Sequence, residues 1–277
     1  AYLSADEHLL TVAGTLAGNY IGAFLGYSSQ SFGNQLAVVA GGVVQGGVYG
    51  TFLAGQGRVA NWGSILAGRT AVNMEIAAAS SVVNHGVLSG GTYGIVAYDV
   101  LAQGSTLAVT NLGTVEGGVA SYSSGTSSGF VVTDLVTNRG TFAGRVDLGY
   151  GNDRLDNRGG EVLGNVDLGA GNDRLDNRGG AVSGSILGGA GNDFFLPGLS
   201  EETIDGADGQ DLLDFRTSQG LRVSLRDATG TREAAGDTYL GIDYVYGSGG
   251  GADHVIGSEG ANLFYGFGGN DTLEGWG

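Results

Sequence analysis

Apolar positions along this chain come in short alternating runs rather than in helical stripes. In Thr141-Phe142-Ala143-Gly144-Arg145-Val146 every second residue is apolar or small, the mark of a short strand with one buried face. The same pattern follows a series of Asn-x-Gly steps that begin at Asn61, Asn84, Asn111, Asn138, Asn157 and Asn177, at intervals of 23, 27, 27, 19 and 20 residues. Gly14–Gly18 and Gly42–Gly46 have the same shape without the asparagine, 28 residues apart. One such strand cannot form a core, whereas stacked coils of about 20 to 27 residues bury a continuous apolar row. The pattern therefore predicts an all-β fold, a parallel β-solenoid or β-helix, with almost no helix.

Further strands are expected at Leu212–Phe215, Leu221–Leu225 and Tyr239–Val245, with a polar excursion from Arg226 to Asp237. Tyr27–Ser31 and Ser121–Gly129 read as loops that leave the stack. The recurring asparagine reads as structural: it tolerates unusual turn backbone, and its amide can bond the turn or the asparagine above.

Composition sharpens this picture. The 277 residues include 57 glycines and one proline, so the backbone turns often, and 42% of the chain is still hydrophobic. The formal charge is −16, and all 12 cationic residues are arginine. Such a surface repels nucleic acid and anionic lipid and attracts multivalent cations. With no cysteine, disulfides, thiolate zinc sites and thiol nucleophiles are excluded. The apolar runs fall short of the roughly 18 residues of a membrane helix, so no membrane span is expected. Ala1 to Thr11 carry Asp6 and Glu7 and do not have the form of a signal peptide.

The chemistry is concentrated in the second half. Nonapeptides run from Leu148 to Asp156, Leu168 to Asp176, Gly188 to Leu196 and Gly206 to Asp214, and three contiguous copies span Ser248 to Ile256, Gly257 to Tyr265 and Gly266 to Glu274. Each has an Asp or Asn in sixth place, followed two residues later by an apolar anchor: Leu155, Leu175, Phe195, Leu213, Val255, Phe264 or Leu273. Glycine turns let backbone carbonyls converge, and a short carboxylate adds charge, which suits Ca²⁺, a hard ion that takes six to eight oxygens. A lone Gly-Asn-Asp is commonly no more than a tight turn. Seven copies in coil spacing argue for more.

These repeats resemble the hemolysin-type, or RTX, pattern G-G-x-G-x-D-x-U-x. The resemblance covers residues 146 to 277; the earlier coils are similar only in a general way to bacterial adhesin β-helices. It implies two regions: residues 1–140 as a solenoid of longer, irregular coils, and 141–277 as a calcium-binding β-roll interrupted at about 215–247. In this family a turn and its counterpart one coil later sandwich each ion. Asp153, Asp173, Asp193 and Asp211, spaced by 20, 20 and 18, would share one edge; Asp253 and Asp271, 18 apart, form another pair, with Asn262 on the opposite edge to them. The ligand sets it implies are Leu148, Tyr150, Asn152 and Asp153; Leu168, Ala170, Asn172 and Asp173; Gly188, Ala190, Asn192 and Asp193; and Gly206, Asp208, Gln210 and Asp211. In the closing block they are Ser248, Gly250, Ala252 and Asp253, then Asn262, then Gly266, Gly268, Asn270 and Asp271.

The resemblance further implies several Ca²⁺ ions, a bacterial extracellular or cell-surface location reached by type I secretion, and folding triggered by external calcium. The expected role is a structural or adhesive one, as a surface-layer, matrix or filament subunit. Solenoid ends allow self-association, and Tyr20, Tyr27, Tyr49, Tyr93 and Tyr122 could stack on cell-surface glycans or simply pack on strands. The alternatives are a non-catalytic roll attached to a polysaccharide-modifying enzyme and an ice- or glycan-binding adhesin domain. No enzyme is expected. Gly125–Gly129 matches G-x-S-x-G but sits in a Ser/Gly loop, and His8, His85 and His254 fall in separate coils.

Overall fold

The computed structural model describes residues 2–3, 8–26, 33–76, 79–99, 105–123 and 133–276. The fold is an all-β parallel β-solenoid of about ten turns with almost no helix. Successive coils pair through the same three positions, giving an 11-stranded sheet (face A), a 12-stranded sheet (face B) and an eight-stranded sheet (face C) among the described residues. One coil shows the plan. Val166–Ala170 lies on face A, Arg174–Asp176 on face B and Ala181–Val182 on face C, before Ser185–Ala190 returns to face A one layer on. Every pairing between strands is parallel, as a chain that climbs one layer per coil requires.

Within each coil alternate side chains point inward, so the core is a set of columns. On face B one column runs through Leu36, Val59, Val82, Val109, Val136, Leu155, Leu175, Phe195, Leu213 and Val245, all 0–1% exposed. Each buried aliphatic side chain contributes about 1.5–3 kcal/mol relative to exposure. A short strand thus becomes stable only when the next coil covers it.

The alternating run from Thr141 to Val146 is not one strand. It divides into Thr141–Phe142 on face C and Val146–Asp147 on face A, bent at Gly144, where a Cβ would lie 2.6 Å from the Gly118 nitrogen. Likewise Tyr239–Val245 divides into Thr238–Leu240 and Tyr244–Tyr246 around Gly241, whose φ is 61°. Alternation reports which side of the backbone is apolar; it carries no signal for a corner between faces. The polar excursion holds a 3₁₀ turn, Arg232–Ala234. Of the expected loops, 27–31 and 124–129 lie outside the described residues, whereas residues 121–123 do not leave the stack: they end the face A strand Val119–Ser123, paired with residues 97–99 of the coil before.

The cross-section changes along the molecule. Face C ends at Ala181–Val182 and face A at Thr238–Leu240, while a separate three-stranded sheet of Arg222–Ser224, His254–Ile256 and Thr272–Glu274 takes over opposite face B. The chain then alternates between two faces, through Tyr244–Tyr246, His254–Ile256, Leu263–Tyr265 and Thr272–Glu274. A nine-residue repeat has room for one strand and one turn, so two repeats make a two-sided coil. The anchors Leu155, Leu175, Phe195, Leu213 and Val255 are fully buried, Phe264 is half-buried and Leu273 is 45% exposed. The first described coils present three strand edges and the last presents two, so these ends are not congruent.

The asparagines form an uninterrupted internal ladder. The Nδ2 of Asn61 donates to Oδ1 of Asn84 (2.8 Å), Asn84 to Asn111 (2.9 Å), Asn111 to Asn138 (2.8 Å), Asn138 to Asn157 (2.7 Å) and Asn157 to Asn177 (2.6 Å). All six are 0% exposed. A carboxamide both donates and accepts, so a stack of them satisfies itself inside the core.

Candidate metal centre

The Gly-Asn-Asp turns join face A to face B. Their backbone is left-handed at two places in the second, third, fourth and seventh copies. In the second copy Gly169 and Gly171 have φ of 103° and 148°, and a Cβ on Gly171 would stand 1.3 Å from the Gly151 oxygen of the turn above. Only glycine permits that stacking distance. At the first of these places the fourth and seventh copies hold Ala207 (φ 67°) and Phe267 (φ 64°), so the turn keeps its left-handed shape even without glycine.

The turns stack into a column of carboxylates. Arg154, Arg174, Phe194 and Leu212 pair in sequence, which places Asp153, Asp173, Asp193 and Asp211 one above another. Each aspartate uses Oδ1 to accept the backbone N–H of the aspartate in the preceding coil: Asp153 N to Asp173 (2.7 Å), Asp173 N to Asp193 (2.8 Å) and Asp193 N to Asp211 (2.8 Å). The neighbouring asparagines bond in the opposite sense on the exposed side: Asn172 N donates to Asn152 Oδ1, Asn192 N to Asn172 Oδ1 and Gln210 N to Asn192 Oδ1.

Two further aspartates belong to the column and were not among the sequence candidates. Asp134 N donates to Asp153 Oδ1 (2.7 Å), and Asp211 N to Asp243 Oδ2 (3.0 Å). Asp134 precedes Asn138 by four residues, as Asp153 precedes Asn157 and Asp173 precedes Asn177, so that spacing could have revealed it. Asn262 also joins this column, because Leu263 pairs with Tyr244 and so places Asn262 beneath Asp243.

Electrostatically the column is unbalanced. Asp153, Asp173, Asp193 and Asp211 are 0–2% exposed, and in each the Oδ2 atom is buried without a hydrogen-bond partner. Burial, opposed by the backbone N–H bonds and reinforced by neighbouring carboxylates, pushes Asp153 up to about 9, Asp173 to about 7 and Asp211 to about 6, and raises Asp193. Among the described residues no arginine forms an ion pair with them. Arginines serve a different row: Arg158 and Arg139 bind Asp156, Arg178 binds Asp176, and Arg216 binds Asp214, each at 2.7–2.9 Å. In that row the guanidinium of Arg158 holds Asp156 far below the usual carboxylate range.

The glycine at the head of a repeat makes room for the unpartnered oxygen. A Cβ on Gly188 would meet Asp193 Oδ2 at 2.3 Å, and one on Gly206 would meet Asp211 Oδ2 at 2.5 Å. The equivalent positions in the first two repeats are Leu148 and Leu168, buried in the core. Among the backbone candidates, the carbonyls of Ala170, Ala190 and Asp208 accept strand bonds from Gly151, Gly171 and Gly191 (2.7–2.8 Å), using one of two lone pairs. Among the described residues no group of three or more Asp, Glu or His side chains converges as a metal-ligand set. A cation here would therefore draw most of its oxygens from the backbone.

The closing repeats differ. Asp253 and Asp271 pair on the other edge, Asp253 N donating to Asp271 Oδ1 (3.0 Å). Both oxygens of Asp253 are already used, by Leu221 N (2.9 Å) and Ser248 N (2.7 Å). The Asn262 amide closes on its own surroundings, accepting from Ser258 N and donating to the Ile242 carbonyl. Among the described repeats, the aspartates with a buried, unpartnered oxygen, and with them the best fit for a cation, are those of the first array.

His85 stacks on Trp62 at 5.1 Å, and His254 lies between Arg222 and Glu274, in separate coils. Tyr20 and Tyr49 meet edge to face at 5.8 Å on face A, while the side chains of Tyr27 and Tyr122, and the Gly125–Gly129 segment, lie outside the described residues. No described helix is long and apolar enough to cross a membrane. Comparison with protein-family models, with curated proteins and with solved structures returns no match for this chain.

Proposed function

We propose that this chain is an extracellular calcium-binding solenoid of the hemolysin-type repeat kind, a structural or adhesive protein in which Ca²⁺ between successive Gly-Asn-Asp turns drives the folding of residues 141–277. One observation carries the reading: four stacked aspartates, one per coil, each bury a carboxylate oxygen that has no partner. An ionised group left this way costs several kcal/mol, and an acid-only column in a chain without lysine has no internal remedy. A divalent cation removes both the desolvation cost and the repulsion between coils.

Asp153, Asp173, Asp193 and Asp211 would supply the charge, and the turn carbonyls of Leu148, Tyr150 and Asn152 and their counterparts the remaining oxygens. What the ion supplies is electrostatic cross-linking of adjacent coils. Low internal calcium and high external calcium would then keep the chain unfolded before export and fold it outside, which suits secretion without disulfides.

The test is a calcium titration of metal-stripped protein followed by circular dichroism and light scattering together. The expected result is a cooperative gain of β signal with several ions bound per chain. Undiminished β signal in excess chelator at neutral pH would overturn the reading. Growth in particle size on the same titration would add self-assembly to it.

A further inference from the structure

The asparagine ladder does not end on an asparagine. At the coil after Asn177 the chain has Pro197, and the Nδ2 of Asn177 donates instead to Glu202 Oε1, which also accepts the N–H of Gly198 (3.1 Å). Glu202 occupies a corner where the preceding coils have Gly144, Gly164 and Gly184. One coil further on the same corner holds Asp237, and Glu202 N donates to its Oδ1 (2.8 Å). The Tyr239 hydroxyl donates to Asp237 Oδ2 (2.6 Å). Glu202 is 3% exposed and Asp237 1%, and Glu202 Oε2 is buried with no partner.

The charged and titratable groups facing this pair come from three elements. Glu201 and the Ser200 hydroxyl lie on the connection before Thr203–Asp208, Glu233 on the 3₁₀ turn, and Tyr239 on the strand after Asp237. Arg178 and Glu233 line a neighbouring cavity of about 130 Å³, but among the described residues no arginine forms an ion pair with Glu201, Glu202, Glu233 or Asp237. Two carboxylates are therefore stacked in the interior with amide, backbone and phenol donors and no counter-charge. This is also where the cross-section changes, since the 226–237 excursion leaves and rejoins the stack between them.

We propose that Glu202 and Asp237 form a proton-held latch, which ties the three-sided solenoid to the excursion and loosens when the stacked carboxyl groups give up their protons to solvent. Both ionised at once, the two carboxylates repel one another in a medium too dry to screen them. Burial first, then the neighbouring Asp237 charge, pushes Glu202 up to about 8, and burial pushes Asp237 up to about 6. A raised folded-state value means that the stabilisation is fully present below the ordinary carboxylate range, about 4, and is lost as pH rises through about 6 to about 8. The latch thus holds in mild acid and loosens toward alkaline pH. Coupled groups lose protons as a pair, so the opening follows the pair rather than one residue.

The experiment uses the full chain with calcium kept saturating, so that the aspartate column does not change with pH. Hydrogen exchange, corrected for its intrinsic pH dependence, is followed at residues 198–202 and 231–239. In the native chain protection there should fall on the order of tenfold between mild acid and mild alkali, the size of a pKa shift of about one unit. Glu202→Gln keeps the acceptor for Asn177 without the charge, and should flatten the change to less than about twofold. An equal pH response in Glu202→Gln, or a flat response in the native chain, overturns the proposal. Carboxyl ¹³C shifts of the unmutated protein decide the matter independently of any variant. Glu202 and Asp237 titrating together near neutrality support the latch, and both titrating in the ordinary carboxylate range overturn it.

Discussion

Two stretches of one solenoid place polar groups in the core in different ways. From Asn61 to Asn177 the insert is a carboxamide, and each rung gives a hydrogen bond to the next and takes one from the last. From Asp153 to Asp211 the insert is a carboxylate, which can only accept, so one oxygen per rung is matched by a backbone N–H and the other is left over. Both rows flank the strands of face B and both are buried. The single difference, a donor in place of a second acceptor, separates a ladder that is complete within the chain from one that needs something added.

The comparison breaks most visibly on removing metal. With chelator at neutral pH, hydrogen-exchange protection should collapse in the coils from Asp153 to Asp211 and persist from Asn61 to Asn111. Uniform protection along the chain would erase the distinction. Because the aspartate values are raised in the fold, to about 6, 7 and 9 for Asp211, Asp173 and Asp153, the metal-free column contributes stability only below the unfolded range and loses it as pH climbs through those values. Thermal melts in chelator should therefore show the protein more stable at mildly acid than at neutral pH, with calcium abolishing that trend.

Next in size is Asn111→Ala. It removes four hydrogen bonds, those Asn111 accepts from Asn84 Nδ2 and Gly113 N and those it donates to Asn138 Oδ1 and the Thr141 carbonyl, and should cost about 2–6 kcal/mol at about 0.5–1.5 each, regardless of calcium. Denaturant unfolding measures it. Asp173→Asn sharpens the contrast because its sign depends on metal. It should stabilise metal-free protein at neutral pH by about 1–2 kcal/mol, by removing a buried charge while keeping the acceptor for Asp153 N, and should weaken calcium binding in a titration. The smallest effect is expected from Arg158→Ala, because its guanidinium is exposed and Asp156 and Asp176 keep Arg139 and Arg178: under about 1 kcal/mol by thermal melt, and less in high salt.

Much of this was legible from spacing. The Asn-x-Gly steps mark the coil length, and the 20, 20 and 18 residue intervals place the aspartates of the first array on one edge. The corners were not legible, because a run such as Thr141–Val146 keeps its alternation through a bend between faces. Asp134 and Asp243 escaped notice because both turn glycines of the repeat are missing before Asp134 and only Gly241 remains before Asp243, although the distance from Asp134 to Asn138 matches its neighbours. Glu202 left no local trace at all. It enters the ladder from a connection 25 residues beyond Asn177, a contact only the folded stack creates.

Residues 151–160 and 171–180 are the same ten residues, and Arg154–Asp156 and Arg174–Asp176 occupy equivalent places in successive coils. A segment from Arg154 to Asp173 could thus be excised or copied without altering the register of anything on either side, since each layer touches only its neighbours. Length in this molecule is a quantity that recombination can dial in whole layers. Every added layer would bring its own buried carboxylate and, on the proposed reading, one more place for a cation.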